Sequence, residues 1–200
     1  MKSGRNILLK KKPLPDFASI LAEAKVIPAV KSIEELDRIL AAKQKIVFVL
    51  FGDILTIPDI VARLKGAGKT VLVHLDLIEG LNSRDVAVDF LARATQADGI
   101  LSTKATLVKY AKNLGLLAVQ RFFVLDSMAL LNIERQFPLD YADAIEILPG
   151  LMPKVIRRLA RLTNRPIIAG GLISEQEDVL SVLDAGAVAV STSKLDLVFE

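Results

Sequence analysis

The chain has 200 residues, 52% of them hydrophobic, and a net charge of +3, with a pI of about 9.1 and a mean hydropathy of +0.44; that length suits one domain with a full core. Cysteine is absent and His74 is the only imidazole, which excludes disulfides, thiolate catalysis and zinc sites of the Cys/His kind. The longest apolar run, Ile46-Val-Phe-Val-Leu-Phe51, is far short of the ~20 residues a membrane helix needs, so the hydrophobic excess points to buried parallel strands, and the mild basic bias permits nucleic-acid binding without requiring it.

Met1 to Lys12 carries Lys2, Arg5, Lys10, Lys11 and Lys12 with little to bury, and Pro13 and Pro15 follow. This reads as a basic arm without the apolar stretch of an export signal, so the expected location is the cytoplasm. Phe17, Ile20 and Leu21 fall at i, i+3 and i+4 and predict a short helix to Ala24, placed to plug one end of a barrel. Arm and helix make up residues 1–25; a barrel domain is expected over 26–200. Val26 to Val30 is the first predicted strand, and Ser32 caps a helix whose Ile33, Leu36, Ile39 and Leu40 share one face. Ile46 to Phe51 is the second strand, followed by a helix over Pro58 to Lys65 that ends at Gly66 and Gly68. The third strand, Val71 to Leu75, leads through the polar loop Asp76 to Ser83 into a helix from Arg84 to Ala94. Gly99 to Leu101, a helix over Ala105 to Leu114, and Leu116 to Val124 come next. Asp126 or Ser127 caps a helix running toward Phe137, Ala144 to Leu148 is the sixth strand, and Pro153 opens another helix. Ile167 to Ala169 and Ala187 to Val190 complete eight strands.

Such regular alternation predicts a compact single-domain α/β fold, a (β/α)8 TIM-type barrel with an extra N-terminal helix. An open doubly wound sheet is the alternative, because periodicity does not show closure; no Gly-x-Gly-x-x-Gly follows the first strand to support a dinucleotide fold. In a barrel the last two strands deliver a phosphate cradle. Gly170 and Gly171 lack Cβ atoms, so an oxyanion can approach the main chain, and Ser191, Thr192 and Ser193 add three hydroxyls. The duller reading is a tight turn and a helix cap.

Other polar residues collect at the predicted carboxyl ends: His74, Asp76, Glu79, Lys104, Arg121, Asp126 and Glu146. Lys104 and Arg121 suit an anion, while Asp76, Glu79 and Glu146 suit hydroxyls or Mg²⁺, so the expected ligand is a phosphorylated polyol. Each has an alternative. Glu146 inside an apolar strand would be costly unpaired, so it either contacts ligand or pairs with Arg121 or Lys104. His74 is either a core histidine or a ligand contact, and Asp76 either caps a turn or reads the ligand. In an enzyme of this fold, Lys104 would serve as electrophile or Schiff-base amine and Asp76 or Glu146 as general base. Away from the strand ends, Lys154, Arg157, Arg158 and Arg161 stand beside a stripe of Val155, Leu159 and Leu162, with no acidic residue in the segment. They are a solvated helix face or a contact for RNA backbone.

His74-Leu-Asp-Leu-Ile-Glu-Gly-Leu81, Asp98-Gly-Ile-Leu-Ser-Thr-Lys104, Gln120-Arg-Phe-Phe-Val-Leu-Asp-Ser127, Ile145-Glu-Ile-Leu-Pro-Gly150, Ile168-Ala-Gly-Gly-Leu-Ile173 and Ala189-Val-Ser-Thr-Ser193 occur in that order. Together they resemble the glycerol-3-phosphate-responsive antiterminator family, regulators of bacterial glycerol uptake operons. The resemblance implies a barrel-like fold, glycerol 3-phosphate as effector, and binding to leader mRNA that keeps a terminator hairpin from forming. On that reading the phosphate lies at Gly170, Gly171, Ser191, Thr192, Ser193 and Lys104, the polyol at His74, Asp76, Glu79, Arg121 and Glu146, and RNA on Lys154, Arg157, Arg158 and Arg161. No catalytic residue, resident metal, cofactor or membrane contact is expected. A homo-oligomer is compatible with the pattern, and a barrel enzyme acting on a small phosphorylated polyol is the rival reading.

Overall fold

Short β-branched runs broken by capped amphipathic segments fold as the alternation predicts in a computed structural model that describes residues 16–199. Helix α1 (Phe17–Ala24) precedes β1 (Val26–Val30), α2 (Ile33–Leu40), β2 (Ile46–Val49), α3 (Ile57–Gly66), β3 (Thr70–His74), a 3₁₀ turn over Leu75–Leu77, and α4 (Asp85–Ala94). The chain continues through β4 (Gly99–Ser102), α5 (Ala105–Asn113), β5 (Leu117–Phe123), α6 (Ser127–Glu134), β6 (Ala144–Leu148) and α7 (Pro153–Ala160). It ends with β7 (Ile167–Gly170), α8 (Gln176–Asp184), β8 (Ala189–Thr192) and α9 (Asp196–Phe199). The strands pair in sequence order, all parallel, and β8 closes on β1 through Val26↔Val190, Ile27↔Ser191 and Pro28↔Thr192. Closure removes the open-sheet alternative. The basic arm lies outside the described residues.

Period-two alternation divides each strand between two cores. Ile46 and Phe48 of β2 pack inside the barrel with Ile27, Leu72, Leu101 and Val119, while Val47 and Val49 face the helices with Leu36, Ile39 and Val61. Phe17 and Leu21 of α1 join the interior cluster, so the first helix stoppers the amino-terminal end of the barrel. Local signals set the helix starts. Ser32 Oγ accepts the Glu35 N–H while the Glu35 carboxylate accepts the Lys31 N–H, and Asp126 accepts the Ala129 N–H at 2.7 Å; such caps are worth about 0.5–2 kcal/mol each.

Several predicted boundaries move, and β2 ends at Val49 instead of Phe51. Helix α6 stops at Glu134 instead of running to Phe137, because Pro138 disfavours helical backbone at the residue before it and the chain tightens through Gln136 N–H to Ile133 O. Leu162 lies past the end of α7 and is exposed, so Ile156 and Leu159 form the buried stripe there. Strand β8 begins two residues later than predicted. Gly186, at φ +108, and Ala187, whose N–H bonds Val182 O, still belong to the turn after α8.

Candidate functional site

Parallel closure puts every strand's carboxyl end on one face, and a cavity of about 550 Å³ opens there. Its walls include Lys31 after β1, Arg121 of β5, Glu146 of β6, Gly171 after β7, and Ser191, Thr192, Ser193 and Lys194 at the end of β8. Leu50, Leu77, Leu148 and Leu172 supply the apolar part.

The floor is a buried ion pair. Register sets Arg121 opposite Glu146 on adjacent strands; Arg121 Nε donates to Glu146 Oε2 at 2.5 Å, and Ser191 Oγ donates to Glu146 Oε1 at 2.5 Å. Glu146 is fully buried, so an unpaired carboxylate here would cost several kcal/mol. The salt bridge expected of Glu146 is made to Arg121 and not to Lys104, and Glu146 also lines the cavity. It also corrects the part expected of Gly170. A Cβ on that glycine would stand 2.6 Å from Ser191 Oγ and 2.8 Å from Glu146 Oε1, so the missing side chain makes room for the ion pair rather than for an oxyanion. Gly170 is not among the residues that line the cavity.

The shift of β8 sorts the three hydroxyls. Ser191 points inward to Glu146, and Thr192 Oγ1 donates to Ile173 O at 2.8 Å. Both hydroxyl protons are thus committed within the protein. Ser193 stands beyond the strand, where Lys31 Nζ donates to its Oγ at 2.9 Å. Gly171 at φ +75 and Leu172 at φ +62 turn sharply beside it, a conformation costing a non-glycine residue roughly 1–2 kcal/mol. Among the described residues no acceptor takes the N–H groups of Gly171, Leu172 and Ser193. Two ammonium groups, one hydroxyl and these amides therefore share one rim, which suits an anion. Lys31 and Lys194 escaped the sequence reading. The rule that found the others, a polar residue just past a strand, applies equally to Lys31, between Val30 and the Ser32 cap.

His74, Asp76, Glu79 and Lys104 do not line the cavity. Both carboxylate oxygens of Asp76 accept bonds from the β4 end: Ser102 Oγ at 2.8 Å, and Thr103 N–H at 2.7 Å and Oγ1 at 2.8 Å. Burial pushes its pKa up, but these bonds outweigh that and hold it below the ordinary carboxylate value. Glu79 is exposed and pairs through its backbone with the loop after β2, its N–H donating to Gly52 O. Lys104 is exposed and bonds Ser83 Oγ. The electrophile and one of the general bases of the enzyme reading are thus spoken for outside the cavity. No group of three or more His, Asp or Glu side chains placed to hold a metal ion occurs among the described residues.

His74 is buried, its Nδ1 without a partner among the described residues. Burial, with help from the Arg121 charge, pushes its pKa down to about 4, against an opposing pull from Asp76. The folded imidazole is neutral, so between about pH 6.5 and 4 the unfolded chain takes up the proton first and stability falls as pH falls. The protein should lose about 2–3 kcal/mol more than His74→Gln between pH 7 and 4 in urea unfolding; parallel losses would mean that His74 is solvated.

On α7, Lys154, Arg157 and Arg158 are exposed, as is Arg161 at its cap. Arg158 is not a free cation, because Glu134 of the neighbouring α6 accepts from its Nη2 at 2.8 Å. The segment lacks acids, but its neighbour supplies one.

The family model described as Glycerol-3-phosphate responsive antiterminator matches residues 26–198. The chain belongs to that family. The uncharacterized protein YgcP of Escherichia coli (strain K12) is 41% identical over 174 residues, 87% of this chain and 91% of that one. Among solved structures, the glycerol uptake operon antiterminator regulatory protein of Listeria monocytogenes str. 4b F2365 matches with TM-score 0.81 and 35% identity over 84% of this chain and 91% of that one. A glycerol uptake operon antiterminator-related protein of Thermotoga maritima MSB8 matches with TM-score 0.77 and 34% identity, over 87% of this chain and 96% of its own. Membership of that family gives the chain a regulatory role. No helix among the described residues is long and apolar enough to cross a membrane.

Proposed function

We propose that the protein binds glycerol 3-phosphate in the cavity at the strand ends and, when loaded, binds the leader mRNA of a glycerol uptake or utilisation operon so that a terminator hairpin does not form. The observation that carries the ligand is the division of the cavity into an anion rim and a carboxylate floor. The phosphate sits against Lys31, Lys194, Ser193 and the amides after β7; Glu146, held by Arg121 and Ser191, keeps lone pairs for a glycerol hydroxyl. Glycerol 3-phosphate acts as effector, with no resident cofactor, in the cytoplasm where transcripts are made. RNA backbone meets Lys154, Arg157 and Arg161, while Arg158 answers to Glu134.

Regulation requires the ligand to prefer the RNA-competent state; a 100-fold preference is about 2.7 kcal/mol, within reach of two charge-assisted hydrogen bonds. Titrating glycerol 3-phosphate by calorimetry, with the compound recovered unchanged, should give saturable heat. Filter retention of leader RNA should then rise with ligand. Replacing Lys154, Arg157 and Arg161 together by alanine should weaken retention and flatten its salt dependence by about two to three counterions. Ligand consumed during titration would move the protein to the enzyme reading, and retention indifferent to the triple change would move RNA to another face.

A further inference from the structure

Large apolar side chains normally turn inward, yet here several stand in solvent around the mouth. Leu55 follows β2 and Leu77 follows β3; Phe123 ends β5, with Leu125 and Met128 just beyond; Leu172 follows β7. Leu55 is 83% exposed, Leu125 82% and Leu172 70%. Parallel closure puts all six on the carboxyl face. Taking ~180 Å² for a fully exposed large side chain, the six together expose on the order of 700 Å² of apolar surface distributed around the mouth, about the ~800 Å² that one partner contributes to a standard interface.

We infer that the occupant of this crown is a second copy of the chain, docked mouth to mouth about a two-fold axis. Three considerations select it. The area is what one partner brings to a stable dimer. A leucine, methionine and phenylalanine surface offers a polyanion no donors, which separates it from the RNA contact. The crown's six residues are uncharged, and homodimer interfaces are the apolar ones. The pairing has a consequence for the cavity. Leu77 and Leu172 belong to the crown and also line the cavity, so the partner covers the opening and each copy completes the other's ligand enclosure.

The test is sedimentation equilibrium on the full chain without ligand, which keeps it independent of the glycerol 3-phosphate reading. At tens of micromolar the expected mass is twice the 21.7 kDa of one chain. Leu125→Glu and Met128→Glu, neither of which lines the cavity, should each raise the dimer dissociation constant at least about 30-fold with unchanged circular dichroism, as hot-spot positions do. Leu180→Glu, an exposed leucine on the flank helix α8, should leave the dimer intact. A wild-type monomer at these concentrations, with the crown then left to a different partner, overturns the inference. So does a dimer that survives both crown changes, or one that Leu180→Glu dissolves equally well.

Discussion

Replacing Arg121 by methionine should destabilise the protein by about 3–5 kcal/mol, a fall in melting temperature of roughly 10 °C or more for a chain of this size. Among the described residues, the change removes the only cation paired with the fully buried Glu146 carboxylate, which keeps Ser191 as its one hydrogen-bond donor there. Methionine matches the length of the arginine stem, so cavity formation contributes little and the loss reports the stranded charge. The double variant Arg121→Met/Glu146→Leu should recover most of that stability, because exchanging a buried ion pair for apolar volume is often neutral or favourable. It should nonetheless fail to bind glycerol 3-phosphate. Recovered stability with lost binding would show that the pair is dispensable for folding and needed at the floor of the cavity. Urea unfolding of the parent, both single variants and the double closes the cycle; an Arg121→Met protein as stable as the parent would show the pair to be solvated and dispensable.

The ion pair also marks what the residues alone could say. A glutamate in the middle of Ala144-Ile-Glu-Ile-Leu148 breaks the apolar run, and burial physics obliges it to find a partner, so that a partner existed was legible. Which cation filled the role was not, because the choice between Arg121 and Lys104 depends on strand register, and register is set by closure of all eight strands. The barrel itself was legible because alternation and capping act locally: Ser32 and Asp126 cap where the pattern puts them. The bounds of β8 were not, since Ala187-Val-Ala-Val190 is equally apolar on either side of the true start and the strand runs on through Thr192. That two-residue uncertainty decided whether Ser191 and Thr192 were loop donors or strand residues already satisfied. Asp76 sits in the single 3₁₀ turn after β3 and Lys104 at the cap of α5, too short a stretch for a period to fix direction, and their side chains turn to Thr103 and Ser83 instead of the cavity.

Gly171→Asp should cut affinity for glycerol 3-phosphate at least ~100-fold while costing only about 1–2 kcal/mol of stability. Gly171 lines the cavity at φ +75, a conformation that aspartate tolerates better than most residues. Its new Cβ meets nothing closer than Leu148 Cδ2 at 3.3 Å, so a small shift of a leucine tip accommodates it. The carboxylate then faces the same space as the ligand's phosphate. Two unit charges about 5 Å apart at an effective dielectric near 20 repel by roughly 3 kcal/mol, and a dianion by more. Gly171→Ala separates charge from strain: it adopts the same unfavourable backbone and the same Cβ, yet should lose no more than about tenfold in affinity. Calorimetry on both variants decides the matter. Equal losses would assign the effect to the backbone, and undiminished binding to Gly171→Asp would move the phosphate away from the turn after β7, taking with it the role proposed for Lys31, Ser193 and Lys194.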